Sequence, residues 1–158
     1  MSAEELTARQ VMSRVLVTIS CDESPLMAWE FMRRAGVRHL PVLDHNARLV
    51  GILTRQQLAA HWSGGPEELS RRKVGDLIAR SRVQKVRPEL PLPKVAEAIL
   101  DGGCDAVAVI GRGGTLIGLV TTTDVLAAVA GRITPTDKEA EVVSGMFHLE
   151  PVMPGTAG

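Results

Sequence analysis

The residues best suited to chemistry stand together in GLVTTTDVL, Gly118 to Leu126, where three threonines and an aspartate follow an apolar run and open a helical pattern. Thr121 and Thr122 offer hydroxyls. Asp124 offers a carboxylate that accepts hydrogen bonds with charge assistance. At a helix start, unpaired backbone N–H groups and the positive end of the helix dipole favour a phosphate. The same residues also fit a cap. Thr-x-x-Asp puts a hydroxyl at the N-cap and a carboxylate three residues on, close to a capping box, and such a cap contributes about 1 kcal/mol. The two roles are compatible: without a ligand the side chains cap the helix, and with one they turn to it.

Other candidate chemistry is sparse. Cys21 and Cys104 fit no CxxC or His-Cys metal spacing and read as packed, reduced thiols. His39, His45, His61 and His148 are scattered. No nucleophile, base and orienting group stand at recognisable spacing. The expectation is no enzyme, no catalytic residue and no metal ligand.

The elements that must position Thr121–Asp124 emerge from a repeat. A constant offset lays LVGILTRQQLAA (from Leu49) over LIGLVTTTDVLA (from Leu116). It pairs Gly51 with Gly118, Thr54 with Thr121, Gln57 with Asp124 and Leu58 with Val125. It also pairs Val42 with Val109 and Gly36 with Gly103. Ala28, Phe31 and Met32 fall on Val95, Ala98 and Ile99, spaced i, i+3, i+4 along one helix face. Upstream, ARQVMSR (from Ala8) resembles VGDLIAR (from Val74) at an offset one residue shorter, which places one inserted residue before Lys85.

Each copy reads the same way. A lead-in ends near Met12 or Ala79. A β-prone run follows (Val15 to Ile19; Val83 to Val86), then a Pro-containing turn and an amphipathic helix stopped by glycine at Gly36 or Gly102-Gly103. Two apolar runs joined by DHNAR or GRGGT read as a hairpin. A last helix starts at Thr54 or Thr121. The fold class is α+β: two β-α-β-β-α units packed by pseudo-twofold symmetry, because one unit of roughly 60 residues buries too little core alone. The first repeat covers 7–60, a Gly/Pro- and charge-rich linker 61–73, and the second repeat 74–130. Residues 131–158 read as one more helix, capped by Thr136 or Asp137, and a flexible tail.

Composition narrows the function. The chain has 158 residues, 45% hydrophobic, with 18 basic and 18 acidic residues. Nucleic-acid and acidic-membrane binders carry a basic excess, and single-strand binders carry aromatic platforms. Here aromatics are 3% and Tyr is absent, so neither partner is expected. The polar N-terminus lacks the apolar core of a signal peptide, and no apolar run reaches the ~18 residues of a membrane span. The expected location is cytoplasmic.

These patterns resemble a known family. VMSR-VLVTISCDESPLMAWEFMRRAGVRHLPVLDHNARLVGILTRQQL and VGDLIARSRVQKVRPELPLPKVAEAILDGGCDAVAVIGRGGTLIGLVTTTDVL are similar to the two halves of a tandem cystathionine-β-synthase (CBS) domain pair, the Bateman module. The most specific features are a hairpin followed by Gly-h-h-Thr-x-x-Asp and the presence of two copies. The resemblance spans about residues 7–130.

The resemblance implies a stand-alone regulatory or sensory module that binds an adenosine-containing ligand (AMP, ADP, ATP or S-adenosylmethionine) between the repeats. It implies no required cofactor, assembly into a homodimer and an unidentified effector protein as partner. In the family the motif threonine contacts phosphate and the aspartate the ribose diol, which points to Thr121 and Asp124, with Thr122 beside them. The β-prone run implies Val83, Lys85 and Val86. A basic residue before the second strand implies Arg38 and His39. A weaker second site comprises Thr54, Arg55, Gln57, Thr18 and Ile19, because Gln57 stands where the family has aspartate. A ligand-free dimerisation or scaffold module with vestigial clefts is the alternative.

Overall fold

The β-prone runs, glycine-stopped helices and hairpins of both copies recur as elements of two structural units, in a computed structural model that describes residues 2–13, 15–78, 83–132 and 141–144. The protein is α+β.

The first-repeat unit contains β1 (Val15–Ser20), α2 (Pro25–Ala35), β2 (His39–Leu43), β3 (Leu49–Thr54), α3 (Arg55–Ala60), α4 (Pro66–Arg71) and α5 (Val74–Ile78). Its sheet has the order β3-β2-β1-β7, where β7 is Glu141–Ser144. Strands β1 and β2 are parallel and β2–β3 antiparallel, as expected when a helix separates the first pair and a short turn the second. Helix α2 begins at Ser24, whose hydroxyl accepts from Met27 N at 3.1 Å, with Pro25 at its first position. It ends at Gly36 with φ 66°, a left-handed cap that glycine adopts without steric cost. Its apolar face, Ala28, Phe31 and Met32, is buried with Ile19, Leu40, Val42 and Leu53 of the sheet.

The second-repeat unit contains α1 (Ala8–Val11), β4 (Lys85–Val86), α6 (Leu92–Gly102), β5 (Ala106–Ile110), β6 (Leu116–Thr121) and α7 (Thr122–Val129). Its sheet order is β4-β5-β6, parallel then antiparallel. Val95 and Ile99 of α6 pack with Val86, Val107, Val109 and Val120.

The lead-ins are exchanged. Helix α1, which precedes the first repeat in sequence, belongs to the second-repeat unit, and α5, which precedes the second repeat, belongs to the first. The exchange follows matching backbone bonds. Ala8 N donates to Leu90 O and Arg9 N to Pro88 O, each at 2.9 Å. Val74 N donates to Glu23 O at 2.7 Å and Gly75 N to Cys21 O at 2.9 Å. The paired glycines of the repeat explain themselves here. A Cβ on Gly118 would lie 2.8 Å from Met12 Cγ, and one on Gly51 would lie 2.7 Å from Ile78 Cδ1. Each strand needs a glycine where the borrowed lead-in crosses it.

Two segments differ in character from the sequence reading. The 61–73 segment holds α4, whose Leu69 is buried; a linker read from Gly, Pro and charge thus contributes an apolar anchor. Of the helix expected after Gly131, residues 133–140 and 145–158 lie outside the described residues, and Glu141–Ser144 form a strand instead. Among the described residues, no helix is long and apolar enough to cross a membrane.

Candidate ligand site

Strand geometry decides which predicted residues share a surface, because successive side chains alternate faces. In the second-repeat unit, Val86, Val107, Val109 and Val120 face the helical core. Lys85 pairs with Ala108, Ala108 with Leu119, and Ala106 with Thr121. These five residues therefore lie on the opposite face; Val83 precedes the strand, which begins at Lys85. The first-repeat unit repeats the arrangement. Ile19, Val42, Leu40 and Leu53 are core, while Thr18, His39, Pro41, Ile52 and Thr54 share the other face. Val86 and Ile19, named for the ligand site from the sequence, bury their side chains in the cores. Their backbone is what they can offer a ligand. Thr18 is fully buried, and Lys85 is exposed.

At the end of β6 the chain enters α7 through a reciprocal cap. Thr121 Oγ1 accepts from Asp124 N at 3.2 Å, and Asp124 Oδ2 accepts from Thr121 N at 2.9 Å. Thr122 is tied to the residue before β5: its N–H donates to Asp105 O at 2.9 Å and its hydroxyl to the same oxygen at 3.3 Å. Asp124 is half-buried, and Thr122 is exposed. The capping role of these residues is thus realised in the folded chain.

The end of β3 is built the same way. Thr54 Oγ1 accepts from Gln57 N, and Gln57 Oε1 accepts from Thr54 N, both at 3.0 Å. Arg55 N donates to Arg38 O at 2.9 Å, and His39 pairs with Thr54 across the strands. Arg38 and His39, assigned from the sequence to the Asp124 group, thus sit beside Thr54 and Arg55 in the first-repeat unit. Arg55 also places its guanidinium 5.9 Å from the ring centre of Trp29. Trp29 meets Trp62 edge-on at 5.8 Å. With Leu58 and Ala59 these residues line a hollow of about 480 Å³. Both tryptophans are partly exposed.

Two groups were not legible in the sequence. A hollow of about 700 Å³ opens at the β5–β6 turn, at the other end of β6 from Thr121, lined by Arg9, Arg87 and Arg112 with Glu89 and Thr115. Cys21, Asp22 and His45 meet at the equivalent turn of the first-repeat unit, one ligand atom from each lying within 4.8 Å of the others. His45 reaches Cys21 only because the β2–β3 hairpin folds back beside the end of β1, a proximity that no local spacing encodes. The spacing of these residues in the sequence did not single out the trio.

The geometry has counterparts in known proteins. The family model for the CBS domain matches residues 8–64 and again 74–131. An uncharacterized protein of Methanopyrus kandleri is 36% identical over 55 residues, 35% of this chain; the match spans 28% of that protein's length. Among solved structures, the CBS domain of a bacterial CNNM/CorC family Mg2+ transporter in complex with ATP superposes with TM-score 0.71 at 20% identity, covering 83% of this chain and 92% of that one. CBSX2 in complex with AMP superposes with TM-score 0.66 at 26% identity, covering 80% and 97%.

Proposed function

This chain belongs to the CBS domain family, with two copies of the domain, and from that premise we propose that it is a regulatory module binding an adenosine-containing ligand, AMP, ADP, ATP or S-adenosylmethionine, at the Thr121–Asp124 motif. One observation carries the reading. The two repeats form the same cap with different chemistry: a neutral amide, Gln57, closes it at 3.0 Å and a carboxylate, Asp124, at 2.9 Å. The cap therefore needs only an oxygen acceptor. The carboxylate of Asp124 fills that role and in addition suits a ligand that presents hydroxyl donors, as a ribose diol does.

Around that carboxylate, Thr121 and Thr122 supply hydroxyls and the α7 N-terminus a positive dipole end for a phosphate. Lys85 shares the Thr121 face and supplies a cation, and Val83, just before β4, supplies an apolar surface. Thr54, Arg55, Gln57, Thr18 and Ile19, the last through its backbone, form a second, weaker site, because an amide lacks charge assistance and the Arg55 guanidinium is already engaged by Trp29. The relatives solved with ATP and with AMP support the ligand class. The reading is regulatory rather than catalytic: a ligand that binds one arrangement of the module better than another shifts the population, and a partner protein reads that shift.

The module is also proposed to act as a homodimer. Leu100 on α6 and Leu126 and Val129 on α7 are 80%, 64% and 67% exposed. A second copy would cover such an apolar surface. A thermal-shift panel of the four ligands tests the main reading. A ligand at a hundred times its Kd stabilises by about 2.7 kcal/mol, and no shift with any of them would overturn it.

A further inference from the structure

We propose that Cys21, Asp22 and His45 form a binding site for a divalent transition ion of the zinc class. The thiol, carboxylate and imidazole ligand atoms all lie within 4.8 Å of one another. In a tetrahedral zinc site with bonds of about 2.0–2.3 Å, donors stand about 3.5 Å apart. Small rotations of exposed side chains close that difference.

An ordinary ion pair explains only part of the group. Asp22 Oδ2 lies 3.1 Å from His45 Nε2, and Asp22 Oδ1 lies 3.4 Å from Lys73 Nζ. Those contacts account for Asp22 and His45; Cys21 packs against the core beside them, with its sulfur within ligand reach of both. A metal ion uses all three. The donor set also names the class: sulfur with imidazole nitrogen and one carboxylate suits zinc or cobalt, whereas magnesium and calcium take oxygen. Three protein ligands leave a fourth position for water or an outside ligand.

The site is carried on fixed backbone. Cys21 N donates to Leu43 O, and Cys21 O accepts from Gly75 N, both at 2.9 Å. Asp22 N donates to Ser20 Oγ at 3.2 Å. In the hairpin that presents His45, Asp44 Oδ1 accepts from Asn46 N at 2.8 Å and from Arg48 N at 3.0 Å. Ala47 takes the left-handed φ of 59° that closes the turn. Backbone held on such turns confines the entropy lost on binding to the side chains. The sequence repeat aligns Pro88, Glu89 and Arg112 with the trio, so the site belongs to the first repeat alone. On binding, the thiol releases its proton to solvent, the metal–sulfur, metal–nitrogen and metal–oxygen bonds form, and Asp22 gives up its contacts to His45 and Lys73.

Cobalt(II) titration of the reduced, untagged chain is the test. A thiolate-to-cobalt charge-transfer band in the near ultraviolet, with visible bands of tetrahedral intensity and displacement by zinc, is expected. Cys21→Ser should remove the charge-transfer band. His45→Gln, at an exposed hairpin tip, should weaken binding by about tenfold or more, the least that losing even an outer partner of a ligand costs. Cys104→Ser should change neither, and circular dichroism should show all three variants folded as the parent. Absence of the thiolate band in the parent chain, its survival in Cys21→Ser, or its loss in Cys104→Ser would each overturn the proposal.

Discussion

Replacing Asp124 by Gln separates the two roles of the motif, because the molecule already contains the result in its first repeat. Gln57 shows that a Gln at this position caps the helix through Oε1 at 3.0 Å. The variant should keep the bond to Thr121 N. It loses only the favourable placement of a negative charge near the α7 N-terminus, about 0.3–1 kcal/mol. For a chain of this size, 1 kcal/mol moves Tm by about 2–4 °C, so the melting loss should stay within that range. Binding should fall much further. Hydrogen bonds to a charged group contribute about 1.5–3 kcal/mol, and each 1.4 kcal/mol is tenfold in affinity, so the adenosine ligand that stabilises the parent should bind about 10–100-fold more weakly. Isothermal titration and a melting curve on the same sample read both quantities. Asp124→Ala, which removes the acceptor as well, should lose both binding and cap. Parent-like affinity in Asp124→Gln, or a melting loss as large as that of Asp124→Ala, would refute the argument that the carboxylate serves a ligand in addition to the cap.

Three further outcomes follow from particular contacts. Gly118→Ala should destabilise by about 1–3 kcal/mol, the range for overpacking, and more than Gly51→Ala. The new Cβ meets the stem of Met12 at 2.8 and 2.9 Å, against the movable tip of Ile78 at 2.7 Å; chemical denaturation gives the order, and equal losses would contradict it. Burial raises the pKa of the Cys104 thiol. A raised acid pKa stabilises the fold below the unfolded value and loses that contribution as pH climbs through the folded one, so stability should decline above the ordinary thiol range. Cys104→Ser should flatten that decline, and an unchanged pH profile would count against it. Leu126→Glu should turn a sedimenting dimer into monomers, whereas a parent chain that sediments as a monomer would exclude the proposed homodimer.

The repeat made much of the site readable. Two helix starts of identical architecture were visible as Thr-x-x-Gln and Thr-x-x-Asp, because a cap is local and its donors lie three residues from its acceptors. Face assignment was harder. That the side chains of Val86 and Ile19 turn to the cores and leave their backbone to a ligand was not legible, because a one-residue step along a strand moves a side chain to the other side of the sheet, and short runs such as Lys85–Val86 offer too little alternation to fix the phase. The pairing of His39 with Thr54 in their own unit was not legible either, because it is set by hairpin register.

By itself the sequence determined the two copies, their helix caps, the glycine stops at Gly36 and Gly103, and the apolar faces of α2 and α6. All of these depend on interactions within a few residues. Tertiary structure alone decided that α1 and α5 change places and that Gly51 and Gly118 are crossing points rather than turns. It also gathered Cys21 and Asp22 with His45 at one turn. The physical reason is the same in each case: these contacts join residues far apart in the chain, and their energies come from packing and backbone pairing whose partners no local pattern specifies.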